Sequence, residues 1–337
     1  MKKLLSLMTA AMLMLTAVTG CGSTGETKTA SSDDVLDIGI IQYTAHPALD
    51  AAREGFVEQL AELGYKDGEN CTFDVQNAQA DQSNLKTISQ KFVNDDKDLI
   101  LAIATPAAQS IAAETKDIPI LVTAVTDPAE SGLVESNEAP NTNVSGTSDL
   151  TPVKEQVALL KQVLPDAKKV GILYCSGEQN SVIQAEMAKA AASENGLESE
   201  DLTVSNTNDV AQVVESALGK FDALYVPTDN IMASSMTLAT SITNPAGLPV
   251  FVGEQGMVEG GGLASVTVNY TDLGKLTGKM AAQIFEGADI KTMPIQYVEN
   301  PELLINEKAA QELGVAFPDD VKAKATVVNT TAEETTK

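Results

Sequence analysis

The chain has 337 residues, 47 acidic against 22 basic, and a formal net charge of −25; such a surface repels nucleic-acid phosphates and anionic membranes, so neither is an expected partner by charge. With 43% apolar residues it can bury two cores, and its length suits two domains better than one. A single histidine, and three cysteines without zinc or redox spacing, exclude the common metal and thiol-redox sites, so no cofactor or metal is expected.

The N-terminus sets the expected compartment. MKKLLSLMTAAMLMLTAVTGCG places Lys2 and Lys3 before an apolar stretch from Leu4 to Val18, followed by small residues around Gly20-Cys21. This is the pattern of a secretory signal, too short and wrongly flanked for a spanning helix. Its end, Val18-Thr19-Gly20-Cys21, resembles a bacterial lipobox, which implies cleavage before Cys21 and lipid on that residue. Residues 1–20 are read as signal peptide and 21–34, rich in Ser, Thr and Gly, as a flexible tether. Loss of Lys2 and Lys3 leaves 20 basic against 47 acidic residues, net −27, so attachment to the extracytoplasmic face of the cell membrane falls to the lipid.

Strand then helix follows repeatedly. Val35–Tyr43 reads as a strand, and Pro47–Leu63 as a helix with Leu49, Ala52, Phe56, Leu60 and Leu63 on one face, stopped by Gly64. Cys71–Gln76 is the next strand, before a helix with Leu85, Ile88 and Phe92 in register. Leu99–Ala104 and Ile118–Thr123 are apolar strands around a helix from about Pro106 to Glu114. Strands this uniformly apolar are covered on both faces, as in a parallel sheet wrapped by helices. Cys71 and Cys175 lie in such stretches and are expected as buried free thiols, with a disulfide left open by export.

After a helix from about Pro152 to Leu164 the pattern restarts. KKVGILYCSGEQNSVIQAEMAKAAASENGL mirrors LDIGIIQYTAHPALDAAREGFVEQLAELGY; KFDALYVPTDNIMASS mirrors KDLILAIATPAAQSIA; GLPVFVGEQGMVEGGGLA mirrors DIPILVTAVTDPAESGLV. Three matched pairs in one order indicate a domain-scale duplication. The expected fold is α/β, with two similar doubly wound parallel-sheet lobes joined by three hinge crossings near Ser145–Leu150, Thr267–Thr271 and Lys291–Gln296. Lobe 1 is read as 35–147 plus about 270–292, lobe 2 as 148–269 plus about 293–322, and 323–337 as a disordered tail. The strands near Ile295–Val298 and Leu303–Ile305 have no lobe fixed by pattern.

Parallel sheets of this kind bind ligands at the carboxyl ends of their strands, here the loops after Ile40, Ile103, Val122, Leu173, Tyr225 and Val252. Thr105-Pro106-Ala107 opens a helix, with Thr105 expected at the N-cap; free N–H groups there could hold a carboxylate without a basic side chain. Asp229, in PTDN, is its counterpart on lobe 2: a helix cap, or a carboxylate meeting a ligand ammonium in the closed cleft. Asn180 and Ser181 could add hydrogen bonds, Thr126-Asp127 in VTDP and Asp149 in GTSD are weaker candidates, and Glu254 occupies the loop after Val252. His46 is expected at the cleft mouth or as a cap, and Tyr43 and Tyr270 stand where a ring could reach the cleft. No serine–histidine–acid set or G-x-S-x-G elbow exists, so an enzyme is not expected. Gly260-Gly261-Gly262 lacks phosphate-loop spacing and reads as a turn into the strand Leu263–Val268.

The lipobox, duplicated lobes, QYTAHPALD, ATPAAQ, VTDP, GTSD, PTDN and GEQGMVEGGGLAS together resemble the ABC-transporter substrate-binding lipoproteins of the tryptophan/tyrosine type, over about residues 35–320. The resemblance implies a type I periplasmic-binding-protein fold and delivery of a small ligand, an amino acid and by the family label an aromatic one, to a membrane permease driven by an ATPase. It implies the ligand carboxylate at Thr105 and the following amides, its ammonium at Asp229, and its side chain along Gln42, Tyr43 and His46. A sugar or nucleoside ligand, and a sensor subunit on the same fold, are the alternatives.

Overall fold

The computed structural model describes residues 35–328, so the expected signal peptide, tether and Cys21 lie outside the described residues, as do residues 329–337. Strands β1 (Leu36–Gln42), β2 (Cys71–Asn77), β3 (Leu99–Ile103), β4 (Ile120–Val125) and β5 (Val144–Ser148) form a parallel sheet in the order β5-β4-β3-β1-β2. Strands β6 (Lys169–Cys175), β7 (Glu198–Val204), β8 (Ala223–Val226), β9 (Val250–Val252) and β10 (Ala264–Thr267) repeat it as β10-β9-β8-β6-β7, also parallel. Each sequence-matched pair thus occupies equivalent places in two sheets, and β3, β4, β8 and β9 are buried at every residue, as two-sided cover requires.

The last strands break the symmetry and correct three boundaries. β11 (Gln296–Tyr297) pairs with β5, so residues up to Tyr297 belong to lobe 1; Ser145 Oγ also donates to the carbonyl of Met293 at 2.7 Å. The third crossing therefore falls after Tyr297, past the expected Lys291–Gln296. β12 (Glu302–Asn306) runs antiparallel to β10, and β13 (Thr326–Val328) extends the second sheet beside β12, where a frayed tail was expected. Ser148, placed in lobe 2 by pattern, ends β5 in lobe 1. A two-residue and a three-residue strand carry too little periodicity to read without their partners.

The helices that position the site are α1 (Pro47–Glu62), α2 (Gln82–Asn94) and α3 (Thr105–Glu114) in lobe 1, then α4 (Val153–Val163) and α5 (Gln179–Glu194). They are followed by α6 (Val210–Ala217), α7 (Asn230–Ser234), α8 (Met236–Thr243) and α9 (Gln255–Glu259) in lobe 2, and by α10 (Tyr270–Phe285), which returns to lobe 1. α10 packs on α1 nearly backbone to backbone. A Cβ at Gly274 would stand 1.9 Å from the Ala52 carbonyl oxygen, and one at Gly55 would stand 2.2 Å from that of Thr271. Cys71 and Cys175 are buried free thiols in different lobes.

Candidate functional site

The carboxyl ends of both sheets face one cavity. Lobe 1 lines it with His46 and Leu49 after β1, Ala124 and Thr126 at the end of β4, and Asp149 after β5. Lobe 2 contributes Asn180 after β6, Thr228, Asp229, Asn230 and Ala233 after β8, and Glu254 after β9; Tyr270 opens α10 beyond β10. Hydrogen bonds cross between the lobes: His46 Nε2 meets Asn230 Oδ1 at 3.2 Å, and Gln184 Nε2 donates to Thr126 Oγ1 at 3.2 Å. The lobes are shut on a contracted space. The cavity has a volume of only about 10 Å³, room for about one water.

Of the residues singled out in sequence, His46, Thr126, Asp149, Asn180, Asp229, Glu254 and Tyr270 line this cavity, while Gln42, Tyr43, Thr105, Pro106, Ala107, Asp127 and Ser181 do not. Gln42 is tied within lobe 1, donating to Thr44 O and Asp50 Oδ1 and accepting from Arg53. Tyr43 is buried near the lobe 2 acids: burial first, then the charge of Glu178, raises its phenol far above the usual range. Thr105 is not the cap of α3. Ala104 holds that position at φ 80°, and the Thr105 hydroxyl is buried without a partner in the first turn. Thr105 and Asp229 therefore do not share the wall of this cavity. Asp127 Oδ1 accepts from the amides of Ala129 and Glu130 and from Asn137, which makes it a turn cap. Ser181 hydrogen-bonds Asp229 from behind.

Asp229 itself is occupied. Its Oδ1 caps α7 through the Met232 amide at 2.8 Å, and its Oδ2 accepts the Cys175 amide at 2.6 Å, tying α7 to the end of β6. Beside it, and unforeseen, Glu178 is buried at the N-cap of α5; its oxygens accept the amides of Asn230 at 3.3 Å and Ile231 at 3.2 Å. Burial, then the charge of Asp229, raises the Glu178 carboxyl, and burial likewise raises Asp229. The internal repeat carried the missed signal: Glu178-Gln179 matches His46-Pro47 at the start of the equivalent helix.

Two other acids are less occupied. Asp149 Oδ2 accepts the Tyr270 hydroxyl at 2.8 Å, and Glu254 Oε2 caps α9 through the Gly256 amide at 2.8 Å. Their remaining oxygens, Oδ1 and Oε1, are buried without hydrogen-bond partners. Burial pushes Asp149 up to about 6 and Glu254 up to about 7. Burial also lowers His46 to about 4, so its imidazole is neutral at pH 7. Its Nδ1 and Asn180 Oδ1 are unpartnered too, so four buried polar atoms without partners belong to residues of one cavity wall. Buried polar groups in folded proteins are satisfied almost without exception, so this concentration points to a ligand.

The chain matches the family model described as ABC transporter substrate binding protein over residues 37–329. A relative named tyrosine-binding protein, from Clostridioides difficile (strain R20291), is 42% identical over 318 residues, covering 93% of this chain and 92% of the relative. A solved ABC domain in complex with L-Trp from Streptococcus pneumonia is 40% identical with a TM-score of 0.85, covering 88% of this chain and all of that one. The ligand-free, open structure of a substrate binding protein with adhesive properties from Clostridium difficile is 44% identical at a TM-score of 0.68, over 88% of this chain and all of that one. At nearly equal identity the better overlay is with the ligand-bound structure, in keeping with the hydrogen bonds that close the lobes here. Two parallel-sheet lobes meeting at a closed polar cavity, and a family match along nearly all of the described residues, make this chain a member of the ABC transporter substrate binding protein family.

Proposed function

We propose that this protein is a lipid-anchored solute-binding subunit on the extracytoplasmic face of the membrane, and that it hands an aromatic amino acid to the permease of an ATP-driven importer. The carrying observation is the cavity wall: bare carboxylate oxygens from Asp149 and Glu254 stand among unpartnered neutral acceptors, with no lysine or arginine in the lining. Buried acids of this kind call for a cationic group, and an amino acid brings one. The tyrosine- and tryptophan-named relatives favour an aromatic side chain. Sugar recognition fits less well, since Tyr270 and His46 bring the only rings in the lining and the Tyr270 hydroxyl is already committed to Asp149. The work of the site is capture and release: no serine, cysteine or lysine lines the cavity, and the hydroxyl that meets a carboxylate there belongs to a buried phenol whose ionisation burial opposes. The His46–Asn230 contact joins the two lobes at the cavity wall, so it helps hold the closed arrangement in which a ligand is enclosed. The lipobox-like Val18-Thr19-Gly20-Cys21 supplies the expected anchor.

Isothermal titration with a panel of amino acids is the direct test. Tyrosine or tryptophan should bind most tightly, and binding of a sugar but of no amino acid would overturn the ligand assignment. Cells fed labelled palmitate should label the parent protein and not Cys21→Ala; equal labelling would remove the anchor from Cys21.

A further inference from the structure

We propose that the bare oxygens of Asp149 and Glu254 are the seat of the ligand's ammonium group, and that the ligand displaces a proton from this pair as it binds. The proposal rests on an amino acid being the ligand and assigns its charged end to residues other than Asp229. Three segments build the seat. Asp149 leaves β5 at the first crossing, Tyr270 enters α10 after the second, and Glu254 caps α9 in lobe 2. Asp149 is 4% exposed and Glu254 2%, each with one oxygen held by a well-formed hydrogen bond and one without such a bond.

The contrast with Asp229 and Glu178 decides the assignment. Those carboxylates spend both oxygens on the first turn of α7 and the end of β6, so an ammonium at Asp229 would compete with backbone donors already in place. At Asp149 and Glu254 an ammonium takes up oxygens that have no well-formed hydrogen bond, with only the Thr126 hydroxyl and the Met257 amide close enough to lower the two acids.

The proton follows from charge. Two carboxylates buried in one cavity wall do not ionise readily without a cation, chiefly because burial disfavours the charged form of each. The titratable groups around them supply none. Tyr270 is a neutral phenol, His46 is held neutral by burial, and Glu259, Asp229 and Glu178 add negative charge or a proton of their own. On the acid side of neutrality the ligand-free protein therefore holds a carboxylic proton in this pair, favoured by burial that lifts Asp149 to about 6 and Glu254 to about 7. The balance is plain: a protein carboxylic acid and a ligand ammonium give a carboxylate–ammonium pair and one proton released to solvent. Binding is consequently weaker in acid, and a ligand lacking the amine gains nothing from the seat.

The test is calorimetry of L-tyrosine and L-tryptophan at about pH 6.5, in buffers of differing ionisation enthalpy, which reads proton release directly. The parent should show buffer-dependent heats. Asp149→Asn and Glu254→Gln should each bind about 30-fold more weakly or worse, the scale of stripping one partner from a buried charged pair. Both should release fewer protons and discriminate less against the corresponding des-amino arylpropionic acid. Because each substitution replaces a buried acid by a neutral isostere, ligand-free variants should melt no lower than the parent at pH 8, which separates loss of binding from loss of fold. Buffer-independent heats in the parent, or either variant binding within about threefold of it, would overturn the seat while leaving the amino-acid reading intact. A parent that binds no amino acid would overturn that reading and the seat together.

Discussion

The two lobes share a strand order and differ at the starts of their helices. In lobe 2 the N-cap positions of α5, α7 and α9 hold Glu178, Asp229 and Glu254, three buried acids. In lobe 1 the equivalent caps of α1 and α3 are His46 and Ala104, neither donating nor accepting a side-chain cap bond. A helix start with an acidic cap has its positive end neutralised, whereas one without leaves its amides and dipole exposed to whatever enters. Duplication thus made the scaffold, and divergence at a handful of caps put acids at the helix starts of lobe 2, while the acid that lobe 1 brings to the cavity wall, Asp149, stands at a strand end. Two strained backbone positions stand at strand ends of lobe 1. Ala104 and Ala124, at the ends of β3 and β4, take φ of 80° and 54° without being glycine. Such conformations cost about 1–3 kcal/mol each and cluster at ligand sites.

Four changes would break or sharpen this comparison. The largest effect is expected at Gly274→Ala, whose Cβ would collide with the Ala52 carbonyl; overpacking of rigid backbone should cost about 3 kcal/mol, seen in urea unfolding as loss of lobe 1. Lobe 2 has no part in that contact, so a selective loss would show that the lobes unfold separately. Next, Asp229→Ala removes the cap of α7 and strands the Cys175 amide, at about 2 kcal/mol of stability in lobe 2. An affinity loss far beyond that stability loss would return the ammonium to Asp229.

Third is pH. Asp149 and Glu254 have folded-state values raised to about 6 and about 7, from 3.8 and 4.5, and Glu178 and Asp229 are raised as well. The stability such acids confer is complete below their unfolded values and is lost as pH rises through the folded ones. His46 works the other way: lowered to about 4 from 6.5, it favours the fold above about 6.5 and costs stability below. Four acids outweigh one histidine, so the melting temperature of the ligand-free protein should fall between about pH 5 and pH 8, and a bound amino acid should flatten the decline. A melting temperature that rises over this range would mean the acids are hydrated in solution. The smallest effect is His46→Ala, which removes one inter-lobe hydrogen bond worth about 1 kcal/mol and should shift the ligand-free protein toward the open arrangement in small-angle scattering. Unchanged scattering would show that other contacts keep the lobes shut.

Much of this was legible before folding. Apolar runs flanked by turn residues gave β1, β3, β4, β6, β8, β9 and β10, and the three matched pairs gave the lobes, because a two-sided parallel strand admits little but apolar side chains; the polar, largely exposed edge strand β7 carries no such run and went unread. The loops that carry the site followed from topology alone, and His46, Thr126, Asn180, Asp229 and Glu254 are among their residues. What composition and periodicity could not supply was the use each polar atom is put to. Whether Asp229 is bare or capped depends on the Cys175 amide, 54 positions away, and Asp149 is half satisfied only because Tyr270 arrives from 121 positions further on. β11 and β13 exist only as pairings with strands far from them in the chain.

By itself, then, the order of residues determined two like α/β halves and the rim where their loops converge, since burial of apolar strands is a local demand written along the chain. Tertiary structure alone decided which acids keep a free oxygen, because hydrogen-bond satisfaction is settled by distances between segments that the chain brings together last.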